Sequence, residues 1–164
     1  MIGEFRTLLP YIGRYKWAYI PGVLSLILTS GSQLLIPWFI GRAVDTLEVG
    51  PEAVGKIGRI MVLMVLTAII IALGRLGWRY FIHGASRRIE NDLRNRLYDH
   101  LLILSRSFYQ STRTGDLMAR GTNDLNAVRM ASGMALVAFI DGLFMTLAIL
   151  IILFRQNPRL ALFT

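Results

Sequence analysis

The chain has 164 residues, of which 54% are hydrophobic and 17% are charged, whereas a soluble domain usually carries about 25% charged residues. Its formal net charge is +8, and it contains no cysteine, which excludes a disulfide framework and thiol chemistry and removes the commonest ligand of structural zinc sites. The apolar excess indicates an all-α membrane protein with long transmembrane helices, because a helix satisfies its own backbone polar groups inside a bilayer.

Three long apolar runs support this interpretation. They cover residues 17–41, 60–74 and 130–154, and the only charged residue within them is Asp141. A spanning helix needs roughly 20 mostly apolar residues, so the first and third runs suffice alone, and the second does if it continues to Ile82. A buried core helix would explain one run but not three in so short a chain. The first run is too long for a cleaved signal peptide and lacks a cleavage site.

The positive charge has two explanations, nucleic-acid binding and membrane topology. If the N-terminus is cytoplasmic, the inner segments hold more Lys and Arg than the outer ones, as the positive-inside rule requires. The inner residues are Arg6, Arg14, Lys16, Arg87, Arg88, Arg94, Arg96, Arg106, Arg113, Arg120 and Arg129, and the outer residues are Arg42, Lys56, Arg59, Arg155 and Arg159. This asymmetry favours topology over nucleic acid and predicts a multi-pass membrane protein with a cytoplasmic N-terminus.

The first helix is predicted over residues 17–44, after an amphipathic segment at 1–16 that we interpret as an interfacial anchor. Pro37 lies near the outer end of this helix and should kink it or weaken its hydrogen bonds. A short outer loop with several glycines and a proline follows, up to residue 56.

The second helix is predicted over residues 57–106 and continues from the membrane into the cytoplasm. Its membrane part contains small residues that permit close helix contacts, and its cytoplasmic part has one apolar residue every four positions, which forms a single stripe. The small residues are Ala68, Ala72, Gly74 and Gly77, and the stripe is Ile89, Leu93, Leu97 and Leu101. About 45 residues at 1.5 Å each give a helix of about 65–70 Å, well beyond the roughly 30 Å of hydrocarbon.

A polar, turn-rich loop is predicted at residues 107–121. Thr114 can cap a short helix, with Asp116 in its first turn at the positive end of the helix dipole, and Gly121 can end it. This helix of barely two turns presents Leu117 and Met118 near its centre. A hydrophilic loop of this kind between two membrane helices indicates that a partner docks on it.

The third helix is predicted over residues 122–156. Thr122-Asn123-Asp124 supplies a second group of N-cap residues, and Asn157-Pro158 ends the helix. Residues 159–164 resemble the first turn of a fourth span, so we expect the chain to be a fragment of a longer protein.

Three charged residues within the spans are candidates for a substrate pathway. Asp141 is costly in a membrane and should face protein or a water-filled cavity. It can bind a cationic substrate, pair with Arg75 or Arg79, or satisfy helix packing. The two arginines share one helix face and either line a cavity or extend towards the inner surface. His83 and His100 are isolated, so we expect no metal site.

Residues 50–56 match the first seven positions of a phosphate-binding P-loop, but this match does not predict ATPase activity. Ile57 stands where the magnesium-binding Ser or Thr belongs, and no strand precedes the segment. We therefore expect no catalytic and no cofactor-binding residue in this chain.

The loop also carries a resemblance. Phe108-Tyr109, the run Arg-Thr-Gly-Asp-Leu-Met-Ala-Arg at 113–120 and Thr122-Asn123-Asp124 resemble the first intracellular loop of ABC exporter membrane domains, most of all those of bacterial multidrug-type half-transporters. Pro37, Gly41 and Asp45 at the outer end of the first helix are similar to the same family. The resemblance extends from about residue 8 to the end of the chain.

The resemblance implies that the chain is the first half of a six-helix domain with the type I exporter fold. Helices four to six and the nucleotide-binding domain would then be absent from this sequence. It implies that two such domains form a homo- or heterodimer, and that a separate nucleotide-binding domain binds ATP and magnesium. Residues 115–120 would form a coupling helix on that domain, with Thr114 at its start. The substrates would be drugs, lipids or other amphiphiles. The alternative from a different class is a self-contained, non-enzymatic membrane scaffold or small channel.

Overall fold

The computed structural model describes residues 13–47 and 54–156, and every regular element in these ranges is a helix. The helices are α1 (Lys16–Leu47), α2 (Val54–Trp78), α3 (Gly84–Leu102), α4 (Arg106–Ser111), α5 (Thr114–Ala119), α6 (Leu125–Met130) and α7 (Leu136–Gln156). Short π-helical segments join α2 to α3 (Arg79–His83), α5 to α6 (Arg120–Asp124) and α6 to α7 (Ala131–Ala135). The all-α prediction is confirmed.

These joined elements form three long helices, each long and apolar enough to cross a membrane. They cover Lys16–Leu47, Gly55–Leu102 and Thr114–Arg155, with 32, 48 and 42 residues. At 1.5 Å per residue the second is about 72 Å long, more than twice the roughly 30 Å thickness of the hydrocarbon layer. α1 continues past both Pro21 and Pro37. The predicted interfacial segment up to residue 12, most of the outer loop, the Asn157-Pro158 helix end and the fourth-span residues lie outside the described ranges.

The two glycines of the predicted small-residue set bring α1 and α2 together. A Cβ atom on Gly74 would lie 2.3 Å from Thr29 Oγ1, and one on Gly77 would lie 2.9 Å from Ser25 Oγ. Ala68 and Ala72 are exposed and take no part in this contact. The close approach of the helices therefore depends on glycine, because any larger residue would displace a side chain of α1.

A small core at the inner end, where α1 begins, joins the three long helices. It consists of Tyr19 and Leu26 from α1, Ile82, Ala85 and Ile89 from the second long helix, and Val137 from the third. Ile89 is fully buried, and Leu93 packs against the same core, so the predicted stripe on α3 begins as a packing face. This core fixes the position of the three long helices relative to one another near the start of α1.

Polar contacts supplement this core. The Tyr15 hydroxyl donates to Asp92 Oδ2 at 2.8 Å, and the Tyr19 hydroxyl donates to the Ser132 carbonyl at 2.9 Å. The hydrogen bond to the Asp92 carboxylate raises the pKa of the Tyr15 phenol above its usual value. The start of α1 is thus tied to both of the other long helices.

Candidate functional site

The far end of the two long helices contains the predicted docking loop. α3 ends at Leu102, and the short helix α4 follows after three residues. The Tyr109 hydroxyl donates to the Leu101 carbonyl at 2.5 Å, and the ring of Tyr109 packs edge-on against Phe108 at 5.6 Å between centroids. The aromatic pair therefore ties α4 to the end of α3 and orients the chain for the return helix.

The return helix begins one residue earlier than predicted. Arg113, not Thr114, occupies the N-cap position, since its backbone is extended (φ −70°, ψ 130°) and Thr114 is the first helical residue. The Asp116 and Leu117 amides donate to the Arg113 carbonyl at 3.0 and 3.4 Å, and no side chain caps the helix. The expectation that Thr114 supplies the cap was wrong, whereas Asp116 does lie in the first turn.

The prediction that Gly121 ends this helix was also wrong. α5 continues through the π-helical segment into α6 and α7 as one helix from Thr114 to Arg155. A helical glycine costs only about 1 kcal/mol relative to alanine, and Gly121 does not adopt a positive φ, so nothing forces a break. Thr122 does not cap a new helix, because its hydroxyl donates back to the Met118 carbonyl at 2.8 Å.

The segment Thr114–Arg120, which we call the coupling segment, is largely exposed. Met118 is 67% exposed, and Leu117 and Ala119 are half-buried. An exposed ion pair at 3.1 Å joins Asp116 to Arg120. Such a pair contributes about 0–1 kcal/mol, so both charges are available to a partner. Thr114 and Gly115 are exposed as well.

Two apolar residues near this segment were missed in the sequence. Leu102 and Ile103, at the end of α3, are 79% and 80% exposed. They directly follow Leu101, the last residue of the apolar stripe. In the sequence, only their position next to the loop could have indicated that they are exposed. Together with Met118 they give this end of the molecule exposed apolar side chains outside any membrane span of ordinary length.

Asp141, the carboxylate of the third span, has a partner in the first. The Ser30 hydroxyl, close to the middle of α1, hydrogen-bonds to Asp141 Oδ1. Within the described ranges no ion pair joins Asp141 to Arg75 or Arg79. Of the alternatives considered for Asp141, the ion pair is therefore absent and a role in helix packing is present, while substrate contact stays a prediction.

The two arginines of the second long helix point away from the packed interior. Arg75 and Arg79 are both exposed, and the Arg79 guanidinium carbon lies 5.8 Å from the centre of the Trp78 ring. Arg79 lines a groove beside the start of α1, and Arg75 does not. The three candidate pathway residues are thus not brought together into one site.

No group of three potential ligands that could hold a metal ion occurs in the described part of the chain. His83 packs edge-on against Trp78 at 5.5 Å and also faces the groove, so it has a packing role.

Residues 19–164 match the family model described as the ABC transporter transmembrane region.

Several bacterial proteins are similar to this chain. The chain is 33% identical over 144 residues to a Bacillus subtilis protein named "Probable multidrug resistance ABC transporter ATP-binding/permease protein YheI", covering 84% of the chain and 24% of that protein. It is 35% identical over 153 residues to the Escherichia coli "Multidrug resistance-like ATP-binding protein MdlA", covering 92% of the chain and 26% of that protein. It is 24% identical over 160 residues to an "ATP-dependent lipid A-core flippase" of Ralstonia nicotianae, covering 98% of the chain and 27% of that protein.

The chain therefore spans about a quarter of the length of the curated relatives it matches. The three apolar helices and the bacterial relatives identify it as part of a multi-pass protein of a bacterial inner membrane.

Proposed function

Because the chain belongs to the ABC transporter transmembrane region family, we propose that it forms the first half of the membrane domain of an ATP-driven exporter, in which the coupling segment docks on a nucleotide-binding domain. The observation that carries this proposal is the exposed segment Thr114–Arg120 at the end of two helices of 48 and 42 residues. Its relatives named as ATP-binding proteins support the ATP-driven part.

The coupling segment has the chemistry of a small docking surface. Met118 offers an exposed apolar side chain, and Asp116 and Arg120 flank it with charges of opposite sign. Apolar anchors surrounded by polar groups are typical of protein interfaces. A partner that contacts these residues would act directly on the third long helix, because α5 continues into it without a break.

The long helices would transmit the motion of that partner. The inner-end core and the Tyr15 and Tyr19 hydrogen bonds hold the three helices together where they enter the membrane. A displacement of the coupling segment would therefore move the spans as a unit about this junction. Closure of the nucleotide-binding domains on ATP and magnesium would supply the displacement, and a second half-transporter would complete the pathway.

The substrate class follows from the same proposal. Relatives are named for multidrug resistance and for a lipid A-core flippase, so drugs, lipids and other amphiphiles are the proposed substrates. Asp141 on the third helix and Arg75 and Arg79 on the second are the proposed substrate contacts, each at a separate place rather than in one site.

The test measures transport and ATP hydrolysis together in the full-length protein reconstituted in vesicles. Leu117→Ala and Asp116→Ala should lower transport by about tenfold, within the range of typical coupling energies, while ATP hydrolysis persists. The matched controls are Leu147→Ala, an exposed leucine of α7, and Asp99→Ala, an exposed aspartate of α3. Unchanged transport in both coupling variants would overturn the assignment.

The scaffold or channel alternative makes a different prediction. A channel would give solute flux that does not depend on ATP, and a scaffold would give no solute flux. In contrast, an exporter gene should encode further spans downstream of Thr164, followed by a G-x-x-x-x-G-K-[ST] segment.

A further inference from the structure

A groove at the inner end of the bundle, beside the start of α1, is lined by basic and aromatic side chains. Its volume is about 880 Å³, and Arg79, Arg87, Arg88, Trp17 and Tyr80 line it. None of the described residues that line it is acidic. The groove is thus a concentrated positive region lined also by the aromatic rings of Trp17, Tyr80 and Phe81.

The three arginines of this groove have no acidic partner in the described ranges. The ion pairs found there join Glu90 to Arg94 and Arg129, and Asp116 to Arg120. Arg79, Arg87 and Arg88 are all exposed. Three unpaired guanidinium groups around one groove repel one another, so an anion that binds between them would relieve this repulsion.

The groove lies at the depth of a membrane surface. The charge-free run of the second long helix ends at Gly74, Arg79 follows five residues later, and Arg87 lies a further eight residues on, about 12 Å along the axis. Trp17 and Tyr80 are 78% and 76% exposed, as expected for an aromatic belt at the headgroup level. The arginines therefore extend from the edge of the hydrocarbon into the headgroup region.

The lining favours a lipid over a soluble anion. Arginine binds phosphate with a planar fork of donors, which accounts for recognition of a headgroup. Leu76, Phe81 and Ala18 add apolar surface to the same groove, and this surface suits the upper part of an acyl chain. Basic pockets between membrane helices on the cytoplasmic side are general sites for anionic lipid headgroups.

We propose that the groove formed by Trp17, Arg79, Tyr80, Arg87 and Arg88 binds the phosphate headgroup of an anionic phospholipid of the inner leaflet. Arg79 is then a lipid ligand at the deep end of this site. The inference does not rest on the export function, since a lipid site of this kind would exist in a scaffold as well.

The test measures lipid binding by native mass spectrometry of the full-length protein in detergent. The probes are dioleoylphosphatidylglycerol and, as the neutral reference, dioleoylphosphatidylcholine. The unaltered protein should retain phosphatidylglycerol preferentially, and the preference should fall as salt is raised, because the contacts are electrostatic and partly exposed.

The triple variant Arg79→Gln/Arg87→Gln/Arg88→Gln should lose the preference. Each basic residue near a charged membrane surface raises the binding affinity about fivefold, the equivalent of about 1 kcal/mol. The loss of three should therefore lower the affinity for phosphatidylglycerol at least about tenfold. Retention of the full preference in this variant would overturn the proposal.

Two further variants separate this result from misfolding and from a loss of net charge. Arg79→Lys/Arg87→Lys/Arg88→Lys keeps the charge and should keep more of the preference than the glutamine variant, losing only what the planar fork of arginine adds. Arg42→Gln/Arg59→Gln/Arg155→Gln removes three charges elsewhere and should leave it unchanged, whereas an equal loss in this control would refute a defined site.

If the glutamine variant does not fold, the unaltered protein still decides the question. Equal retention of the two lipids at low salt would refute the proposal. Soluble glycerol 3-phosphate at millimolar concentration should compete poorly, because it lacks the acyl chains, and competition as strong as that of the lipid would identify a soluble-anion site instead.

Discussion

The contact of α1 with Gly74 predicts a steep response to the addition of one methyl group. In Gly74→Ala the new Cβ would lie 2.3 Å from Thr29 Oγ1 and 3.3 Å from the Ser25 carbonyl oxygen. Thr29 cannot rotate away freely, because its hydroxyl donates to that same carbonyl at 2.7 Å. Overpacking of this kind costs about 1–3 kcal/mol, which exceeds the gain of about 0.5–1 kcal/mol when alanine replaces a helical glycine.

The thermal stability of the full-length protein in detergent measures this effect. Gly74→Ala should melt below the unaltered protein. The control Gly142→Ala, where no atom lies within 4 Å of the new Cβ, should melt at the same temperature or above. The double variant Gly74→Ala/Thr29→Ala removes the clashing hydroxyl and should recover part of the loss, as expected for two residues in contact. The reasoning is refuted if Gly74→Ala melts with the control, or if the double variant loses the sum of the two single losses.

Two further predictions concern polar contacts and use the same melting assay. Ser30→Ala leaves the Asp141 carboxyl without its hydrogen-bond donor and should lower the free energy of unfolding by about 1–3 kcal/mol. The double variant Ser30→Ala/Asp141→Leu replaces both polar groups and should recover most of that loss. A double variant less stable than Ser30→Ala would contradict this. Glu90→Gln should destabilise by about 1–2 kcal/mol, because the Glu90 side chain is only 13% exposed and links α3 to Arg129 on α6. The matched variant Asp116→Asn breaks a pair whose side chains are 58% and 54% exposed and should cost less than about 0.5 kcal/mol, so equal losses in the two variants would show that burial is irrelevant here.

The long helices were predictable because their signals are local. Apolar runs of spanning length give the three helices, and the small size of Gly74 and Gly77 indicates where two of them can touch. The apolar stripe on α3 likewise indicates a packing face, and Ile89 is indeed fully buried. Each of these features depends on the composition of a single helix.

The errors concern features that the local sequence leaves open. Glycine commonly ends helices. The backbone of Gly121, however, is held in the helical region by the helical turns on either side, so the helix continues. The partner of Asp141 could not be chosen from the sequence, because Ser30 lies 111 positions away and only the packing of α1 against α7 brings the two together. The role of the coupling segment depends on a partner domain and stays a prediction.

The most direct measurement of the central proposal asks what the coupling segment touches. A photoreactive amino acid is placed at Met118 in the full-length protein, and the cross-linked peptides are identified by mass spectrometry. The control position is Leu147, which is 52% exposed on the membrane span of α7. The account predicts cross-links from position 118 to a nucleotide-binding domain and none from position 147. Cross-links from position 118 to lipid or to membrane helices alone would contradict it.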